Sequence, residues 1–329
     1  MDYGKFGNSG ETLSRIGLGC YGMSGAYGAA DDTESIATIH RAIERGVNLL
    51  DTSARYGGGH NHKIIGQAIR DRRDKVFIHS KTGTIHTADG RSVAEGSGTP
   101  ERLREICEQS LKNLSVDHLD ALCMSRIDPT VPIEESVGAM AQMVEEGKTR
   151  FISLSEAGVE TLRRGAAAQK LIALQFEYSL WSRDPEDGHI DACRDLGLAF
   201  MAYAPFGYGF LTGDITKPGA QSDSDTRQKF PRFQEENFEA NRKRVSALED
   251  FAKDKGATPA QICLAWLLAQ GEQIFAIPGC KSRRHLDENL DAVEIKLTPS
   301  DLAQLDTIFP KGTAAGTRYP AEGMKRVNL

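Results

Sequence analysis

The chain lacks the features that would hold together a small disulfide-linked or zinc-binding domain. Its 329 residues contain six dispersed cysteines, Cys20, Cys107, Cys123, Cys193, Cys263 and Cys280, and no Cys-x-x-Cys pair. This spacing argues against a zinc finger or a disulfide framework and predicts free thiols in a reducing compartment. A chain this long can bury a large core without cross-links. The histidines also lack ligand spacing, so we expect no metal site.

Long hydrophobic runs and long blocks of one charge are also absent. No apolar run approaches the ~20 residues that a membrane-spanning helix needs, and the first residues lack the apolar core of a signal peptide. The formal net charge is -6 without an extended basic segment, which disfavours nucleic acid and anionic membranes as partners. We therefore expect a cytoplasmic protein that acts on a small molecule.

Eight short apolar runs alternate with segments of helical spacing. A predicted hairpin over residues 3–14 comes first, and the strand-like runs cover residues 15–20, 47–51, 76–80, 119–124, 150–154, 171–176, 199–204 and 274–278. Helical spacing is clear over residues 33–46, 100–114, 133–147 and 259–270. Thr99 and Thr258 each precede a proline, which is typical of a capped helix start.

This alternation predicts the fold class. Strands that are apolar throughout indicate a parallel sheet covered on both faces. Eight such units favour a closed (β/α)8 TIM barrel, an α/β fold, over an open doubly wound sheet. The absence of a G-x-G-x-x-G motif after the first strand weakens the dinucleotide-binding sheet alternative further. We predict a single barrel domain over residues 1–329, with loops over its mouth at residues 84–99 and 214–241, and a tail at residues 312–329 as a candidate for the same rim.

Polar side chains follow the second and third predicted strands. Asp51 and Tyr56 follow the second strand and Lys81 follows the third, so all three should meet where barrels hold their active sites. A free tyrosine has a pKa of ~10, which is high for proton exchange near neutrality. A nearby ammonium should lower that pKa, and a carboxylate should keep the ammonium charged. This pattern predicts Tyr56 as proton donor, Lys81 as the group that tunes it and Asp51 as the anchor.

Each of these residues also has a purely structural interpretation. Asp51 could cap a loop helix, Tyr56 could be a rim aromatic, and Lys81 could be a solvated charge. The combination, together with Ser125, Ser155, Gln175 and Tyr203 at other strand ends, favours chemistry over structure, because strand ends without function rarely collect such side chains.

Long motifs then point to a family. They occupy residues 17–24, 51–57, 59–61, 147–148, 155–157, 175–185, 202–207, 277–279 and 288–289. On these motifs the chain resembles the aldo-keto reductases of bacterial and plant type along essentially its whole length. The resemblance implies NADPH bound in extended form across the barrel mouth. It also implies hydride transfer to an aldehyde or ketone carbon while Tyr56 protonates the oxygen.

The same resemblance assigns cofactor contacts. It implies that Tyr203 stacks on the nicotinamide, Ser155 and Gln175 hold the carboxamide, Lys281 and Arg284 meet the 2′-phosphate, and Glu288 and Asn289 hold the adenine. It places Ala204, Phe206, Gly207, Tyr208 and Gly209 along the pyrophosphate, and it adds Gly19, Cys20, Tyr21, Asp51, Pro205, Ile277, Gly279 and His285 to the cofactor site. Independently, Lys281, Arg283 and Arg284 form a basic cluster after the eighth strand, where barrels commonly bind phosphate.

The chain departs from the family pattern at the fourth strand. Ser125 stands where the family has a catalytic histidine, Tyr208 replaces a residue that is usually basic, and Cys280 replaces a usual threonine. His79 shares the inner face with Lys81 one layer deeper, where a satisfied core histidine is favoured over a compensating catalytic role. His60 is structural in the family pattern.

Three functions follow from this pattern. The first is an NADPH-dependent carbonyl reductase of the alcohol dehydrogenase (NADP+) type. The second is a nicotinamide-binding sensor or accessory protein with vestigial turnover, and the third is an enzyme for a substrate of different geometry. We expect a monomer or a weak homo-oligomer.

Overall fold

The computed structural model describes residues 1–86, 92–219 and 225–329. An antiparallel hairpin, β1 (Tyr3–Lys5) and β2 (Thr12–Ser14), precedes the barrel. The barrel strands are β3 (Leu18–Gly19), β4 (Leu49–Ser53), β5 (Phe77–Lys81), β8 (Leu119–Met124), β9 (Thr149–Ser155), β10 (Leu171–Glu177), β11 (Ala199–Tyr203) and β12 (Ile274–Ile277). A small antiparallel pair, β6 (Ile85–His86) and β7 (Ser92–Val93), lies between β5 and β8 in the chain.

The eight barrel strands are parallel and follow one another in chain order around the sheet. Parallel bridges between Ile16 and Ala276 and between Gly19 and Gly279 join the first strand to the last. The sheet therefore closes on itself, and the predicted (β/α)8 barrel with an N-terminal hairpin is confirmed. Each predicted strand agrees with the structure to within three residues at either end.

Helices connect the strands and cover the outside of the barrel. They are α1 (Asp32–Glu44), α2 (His60–Ile69), α3 (Pro100–Leu114), α4 (Ile133–Glu145), α5 (Val159–Ala168), α6 (His189–Leu196), α7 (Glu235–Asp254), α8 (Pro259–Ala269), α9 (Arg283–Leu290), α10 (Pro299–Ile308) and α11 (Ala321–Met324). The side chains of Thr99 and Thr258 cap α3 and α8 as predicted. Within the described residues, no helix has the length and apolar character to cross a membrane.

The hairpin closes the end of the barrel opposite the strands' carboxyl ends. Phe6, in the turn after β1, is fully buried and packs against Phe275 at 5.0 Å and Phe77 at 5.5 Å between ring centroids. Apolar residues from the lower halves of the strands complete this inner cluster. Because the middle of this end is filled with packed apolar side chains, the cavity of the barrel opens at the opposite mouth.

The loops over the mouth differ in part from the prediction. The predicted loop over residues 214–241 ends earlier, because α7 begins at Glu235. Pro231 begins a short helical turn, Pro231–Phe233, just before α7, and the first buried apolar residue of α7 is Phe238. Parts of both predicted loops, residues 87–91 and 220–224, lie outside the described residues. The C-terminal tail reaches the rim as expected, since Tyr319, Gly323 and Arg326 line the cavity there.

Candidate active site

A cavity of about 800 Å³ opens at the carboxyl ends of the strands. It brings together most of the residues predicted from the sequence. Those that line it are Gly19, Tyr21, Asp51, Tyr56, Lys81, Ser125, Gln175, Tyr203, Ala204, Pro205, Phe206, Tyr208, Gly209, Ile277, Gly279, Lys281, Arg284, His285, Glu288 and Asn289.

Three predicted residues do not line the cavity. Cys20 lies fully buried beside it, and its thiol donates to the carbonyl of Leu18. Gly207 turns its α-carbon towards Trp181, and an added Cβ would lie 2.3 Å from that ring. The Ser155 hydroxyl is buried and has no hydrogen-bond partner among the described residues.

Asp51 and Lys81 form a buried ion pair at the base of the cavity. The Lys81 ammonium donates to Oδ2 of Asp51 in a short contact. Oδ1 of the same carboxylate lies 3.0 Å from Nδ1 of His79 and accepts from Nε2 of Gln175 at 2.7 Å. Burial alone would raise the pKa of Asp51, but Lys81 and His79 together hold it below its ordinary value. Asp51 therefore remains a carboxylate and does not cap a helix.

His79 occupies the layer below Lys81, as the alternation of β5 predicts. It is fully buried, and its Nε2 lies 2.8 Å from the hydroxyl of Ser153 while Nδ1 faces Asp51. Burial opposes its charged form, but Cys123 and Asp51 raise the pKa of His79 to about 9. Both ring nitrogens have partners, so His79 is a satisfied interior histidine that helps to hold Asp51.

Tyr56 lies at the edge of the same cavity. Its ring packs on Tyr21 with centroids 4.6 Å apart, and the Lys81 ammonium lies 5.1 Å from its centroid. The expected lowering of its pKa is wrong. Burial raises the pKa of Tyr56 well above its ordinary value, Asp51 raises it further, and Arg126 opposes both. Since the Lys81 charge is compensated by Asp51, it stabilises the phenolate little.

Ser125 and Arg126 follow directly after β8 and line the cavity together. The Ser125 amide donates to the Thr82 hydroxyl at 3.3 Å, and the Arg126 guanidinium donates to the Ser125 carbonyl at 2.7 Å. From the sequence, we predict a role for Ser125 and none for Arg126. Arg126 could have been predicted as a cavity residue because it is adjacent to Ser125 at the same strand end.

A network of tyrosines and carboxylates forms one wall of the cavity. The Tyr203 hydroxyl donates to Glu156 at 2.8 Å, and the Tyr319 hydroxyl lies 2.9 Å from that of Tyr203 and 2.8 Å from that of Tyr208. Arg318 donates twice to Glu156, at 3.0 and 2.6 Å. Sequence reasoning missed these tail residues individually, because they lie more than 100 residues from the strands they contact.

Basic residues lie at the other end of the cavity. The Lys281 ammonium donates to the carbonyls of Tyr27 and Ala29, at 3.1 and 2.6 Å, and Arg284 lies at the exposed start of α9 beside His285. Arg283 instead pairs with Glu34 at 2.8 Å and is absent from the cavity wall, so the predicted cluster of three cations is reduced to two. Glu288 accepts from the Thr258 hydroxyl at 2.7 Å.

Comparison with known proteins identifies the family. Residues 15–309 match the sequence profile of the aldo/keto reductase family. The chain is 38% identical over 317 residues to a probable aldo-keto reductase from Glycine max, covering 96% of this chain and 91% of that protein. The chain thus belongs to the aldo/keto reductase family, a class of oxidoreductases that act on carbonyl compounds.

Solved structures agree with this assignment. A glycerol dehydrogenase from Gluconobacter oxydans superimposes with a TM-score of 0.83 at 25% identity, covering 93% of this chain and 94% of that one. An aldo-keto reductase from Klebsiella pneumoniae in complex with NADPH gives a TM-score of 0.76 at 27% identity, covering 97% and 99%. These likenesses extend over nearly the whole of each chain, so they include the strand ends that form the cavity.

Proposed function

We propose that this protein reduces an aldehyde or ketone to an alcohol with NADPH, as an alcohol dehydrogenase (NADP+)-type aldo-keto reductase. The observation that carries the proposal is the arrangement of one cavity. Tyr56, Lys81 and Asp51 converge at one part of it, and Lys281 and Arg284 lie at another. The Klebsiella pneumoniae relative, similar over almost its entire length, binds NADPH.

The residues present fit a nicotinamide dinucleotide phosphate. The buried Ser155 hydroxyl lacks a partner among the described residues, which suits a donor or acceptor for a carboxamide. The segment from Ala204 to Gly209 contains four residues with positive φ, at positions 204, 207, 208 and 209, and such turns expose backbone amides that suit phosphate. Lys281 and Arg284 would meet a 2′-phosphate.

The chain's own residues supply the proton and the orientation. NADPH, when bound, supplies the hydride. Tyr56 retains its proton at neutral pH because burial raises its pKa, and its hydroxyl would donate that proton to the carbonyl oxygen. Lys81 orients the phenol from beside its ring, and Asp51 fixes Lys81 in place.

Ser125 is expected to lower the rate of this reaction. A serine side chain is shorter than the histidine it replaces and cannot reach the same point of a bound carbonyl. We therefore propose a reductase that is slow on small aldehydes and has additional room beside Ser125 for a substituent or a water molecule.

The experiment that tests the proposal is a single-turnover measurement. Protein loaded with one equivalent of NADPH is mixed with a panel of aldehydes and ketones, and absorbance at 340 nm is followed while the alcohol is quantified. We expect NADPH loss matched by one alcohol per cofactor. Tight NADPH binding with no oxidation by any carbonyl would contradict the reductase.

A second candidate is a nicotinamide-binding sensor with vestigial turnover. The observation that favours it is Ser125, because the usual catalytic side chain is missing while the rest of the cofactor cavity is retained. The same experiment separates the two functions, since a sensor binds NADPH and changes conformation or partner affinity without consuming it.

A further inference from the structure

The cavity carries an excess of positive charge in a protein that is acidic overall. Seven cationic side chains line it, Arg55, Lys81, Arg126, Arg227, Lys281, Arg284 and Arg326, against three carboxylates, Asp51, Asp214 and Glu288. The chain as a whole has a formal charge of -6. A concave site with this charge attracts anions. The phosphates of a dinucleotide would account for the cations near Lys281 and for Arg227, which donates to the Tyr208 carbonyl at 3.1 Å, but not for Arg126.

Most of the other cations near the tyrosine wall already have carboxylate partners. Arg318 forms a double hydrogen bond with Glu156, and Arg232 lies 3.5 Å from Glu177 and donates to Ser182. Lys81 is paired with Asp51, and Arg227 with Asp225. The two carboxylates of the wall, Glu156 and Glu177, are thus committed to Arg318 and Arg232.

Arg126 differs from these residues. Its guanidinium donates to the backbone carbonyl of Ser125 at 2.7 Å and lies 6.0 Å from the centroid of the Tyr319 ring. Among the described residues, no carboxylate lies within ion-pair distance of it. Burial opposes the charge of Arg126, but the surrounding tyrosines and the Glu156 carboxylate hold its pKa above its ordinary value from a greater distance. The guanidinium therefore stays charged, and without a paired carboxylate it can bind an anion that a ligand supplies. The ring and the carbonyl hold the guanidinium beside Ser125.

The position of Arg126 indicates which ligand would supply the anion. It follows Ser125 directly, lines the same cavity as Tyr56 and Lys81, and lies close enough to Tyr56 for its charge to lower the pKa of that phenol. The cofactor phosphates are expected elsewhere, at residues 204–209 and at Lys281. The anion beside Arg126 therefore belongs to the substrate.

We propose that the carbonyl substrate carries an anionic group, a carboxylate or a phosphate, and that Arg126 binds this group while the carbonyl oxygen faces Tyr56. This inference rests on the proposed reductase function. A planar guanidinium matches the two oxygens of a carboxylate or phosphate, and such charge-assisted pairs are about twice as strong as neutral hydrogen bonds. Arg126 is then the residue that selects the substrate.

The test compares substrates of equal shape and different charge. The pair 4-formylbenzoate and 4-formylbenzamide differs in one charge, and glyceraldehyde 3-phosphate against glyceraldehyde distinguishes phosphate from carboxylate as the preferred anion. We expect the wild-type protein to favour the anionic member of at least one pair by about tenfold or more in kcat/KM, which corresponds to ~1.4 kcal/mol. The preference should decrease with added salt.

Variants show which residue causes the preference for the anionic substrate. Arg126→Gln should bring the anionic-to-neutral ratio close to one, mainly through KM of the anionic substrate, and Arg126→Lys should restore part of it. Arg284→Gln, which removes a cation of the same cavity at its cofactor end, is the matched control and should keep the wild-type ratio. Thermal unfolding and NADPH titration of each variant show whether it is folded and binds cofactor. Should Arg126→Gln fail to fold, the wild-type ratio and its salt dependence, together with Arg126→Lys, decide whether the substrate is bound through an anionic group.

Several results would overturn the inference. A wild-type ratio near one for both pairs would do so, as would an Arg126→Gln variant that keeps the preference. Weakened NADPH binding in Arg126→Gln with an unchanged ratio would assign Arg126 to the cofactor instead. If no carbonyl is turned over, the reductase proposal fails, and calorimetric binding of 4-formylbenzoate against 4-formylbenzamide to both proteins still decides the role of Arg126.

Discussion

Asp51 shows how a single side chain organises the chemistry of this site. Its carboxylate faces Lys81, His79 and Gln175 at once, so the charge of Lys81 is already compensated before any ligand binds. Burial, and then the Asp51 charge, raise the pKa of Tyr56, which remains a phenol. At the scale of single residues, Tyr56 thus holds its proton at neutral pH, which is the protonation state that donation to a carbonyl oxygen requires.

Replacing Tyr56 by phenylalanine tests this role. We expect Tyr56→Phe to lower the single-turnover rate by ~10²–10⁴-fold, the usual contribution of general acid catalysis, with NADPH affinity nearly unchanged. Because the pKa of Tyr56 is raised, the wild-type rate should not fall through loss of its proton between about pH 7 and 9. Tyr3→Phe, which removes a surface hydroxyl, is the control. A near wild-type rate in Tyr56→Phe would place the donor elsewhere, with His79 or a water held by Ser125 to be tested next.

Ser125→His tests the effect of the shortened side chain. We expect the variant to reduce a small aldehyde faster than wild type, because misplacement of a carbonyl can cost on the order of 10²-fold in rate. A bulky carbonyl that uses the room beside Ser125 should react more slowly. Steady-state kinetics on both substrates measure this, with Ser125→Ala as the control for loss of the hydroxyl. An unchanged rate on the small aldehyde would favour the sensor function.

At the scale of elements, the packing of α2 against α3 depends on a glycine inside a helix. A Cβ on Gly66 would lie 2.2 Å from the carbonyl oxygen of Leu114, the last residue of α3. Backbone atoms cannot move aside as a flexible side chain can, so the two helices approach this closely only with glycine there. The short turn Tyr56–Gly59 leads directly into α2. A shift of α2 would therefore also move the chain next to Tyr56.

Gly66→Ala should therefore destabilise the protein although alanine favours helices. We expect a loss of ~1–3 kcal/mol in the free energy of unfolding, as for overpacked cores. Gly138→Ala is the matched control in α4, where an added Cβ meets nothing within 4 Å, and it should stabilise by ~0.5–1 kcal/mol. Urea unfolding of both variants measures the difference. Equal effects of the two substitutions would show that α2 can shift away from α3 at no cost.

At the scale of the whole molecule, the C-terminal tail completes the cavity wall. Arg318 is buried and binds Glu156, which lies 162 residues earlier at the end of β9. Tyr319 then reaches Tyr203 and Tyr208. The tail thus contacts residues at the ends of several strands. We expect it to contribute to stability and to the position of the Tyr203 ring, which is expected beside the nicotinamide.

Breaking this long-range pair tests that role. Arg318→Met leaves the Glu156 carboxylate buried without its cation, so we expect a loss of ~3–5 kcal/mol in the free energy of unfolding. Adding Glu156→Gln should recover a large part of the loss, because the uncompensated charge is then removed. Chemical denaturation of the two single variants and the double variant gives the coupling energy. Purely additive effects would mean that the tail is held by other contacts.

Cofactor choice depends on elements from opposite ends of the chain. Lys281 lies after β12 and donates to carbonyls of residues 27 and 29, and it would exchange these for a 2′-phosphate. We expect NADPH to bind more tightly than NADH, and Lys281→Met to weaken NADPH binding by about tenfold or more without affecting NADH. Arg283→Met is the control, since Arg283 pairs with Glu34. Fluorescence titration with equal affinities for both cofactors would remove the phosphate assignment.

The barrel and much of the site could be predicted from local pattern alone. Continuous apolar strands and capped helices such as those at Thr99 and Thr258 follow from the residues within each segment, because burial of a strand and satisfaction of a helix end are local requirements. Parallel strands deliver their carboxyl ends to one rim, which is why Asp51, Lys81 and Ser125 were found together. His79 was placed one layer deeper by the same alternation.

Only the tertiary structure decided the charge states and partners within that rim. The pKa of Tyr56 rises because its surroundings are dry and the Lys81 charge is compensated by Asp51, and neither condition can be read from spacing. The pairing of Arg283 with Glu34 and of Arg318 with Glu156 joins segments far apart in the chain. The sequence by itself determined which strand-end side chains, such as Asp51, Lys81 and Ser125, reach the mouth of the barrel. The fold decided which of their charges are neutralised, because electrostatic interactions depend on distances and burial that exist only after folding.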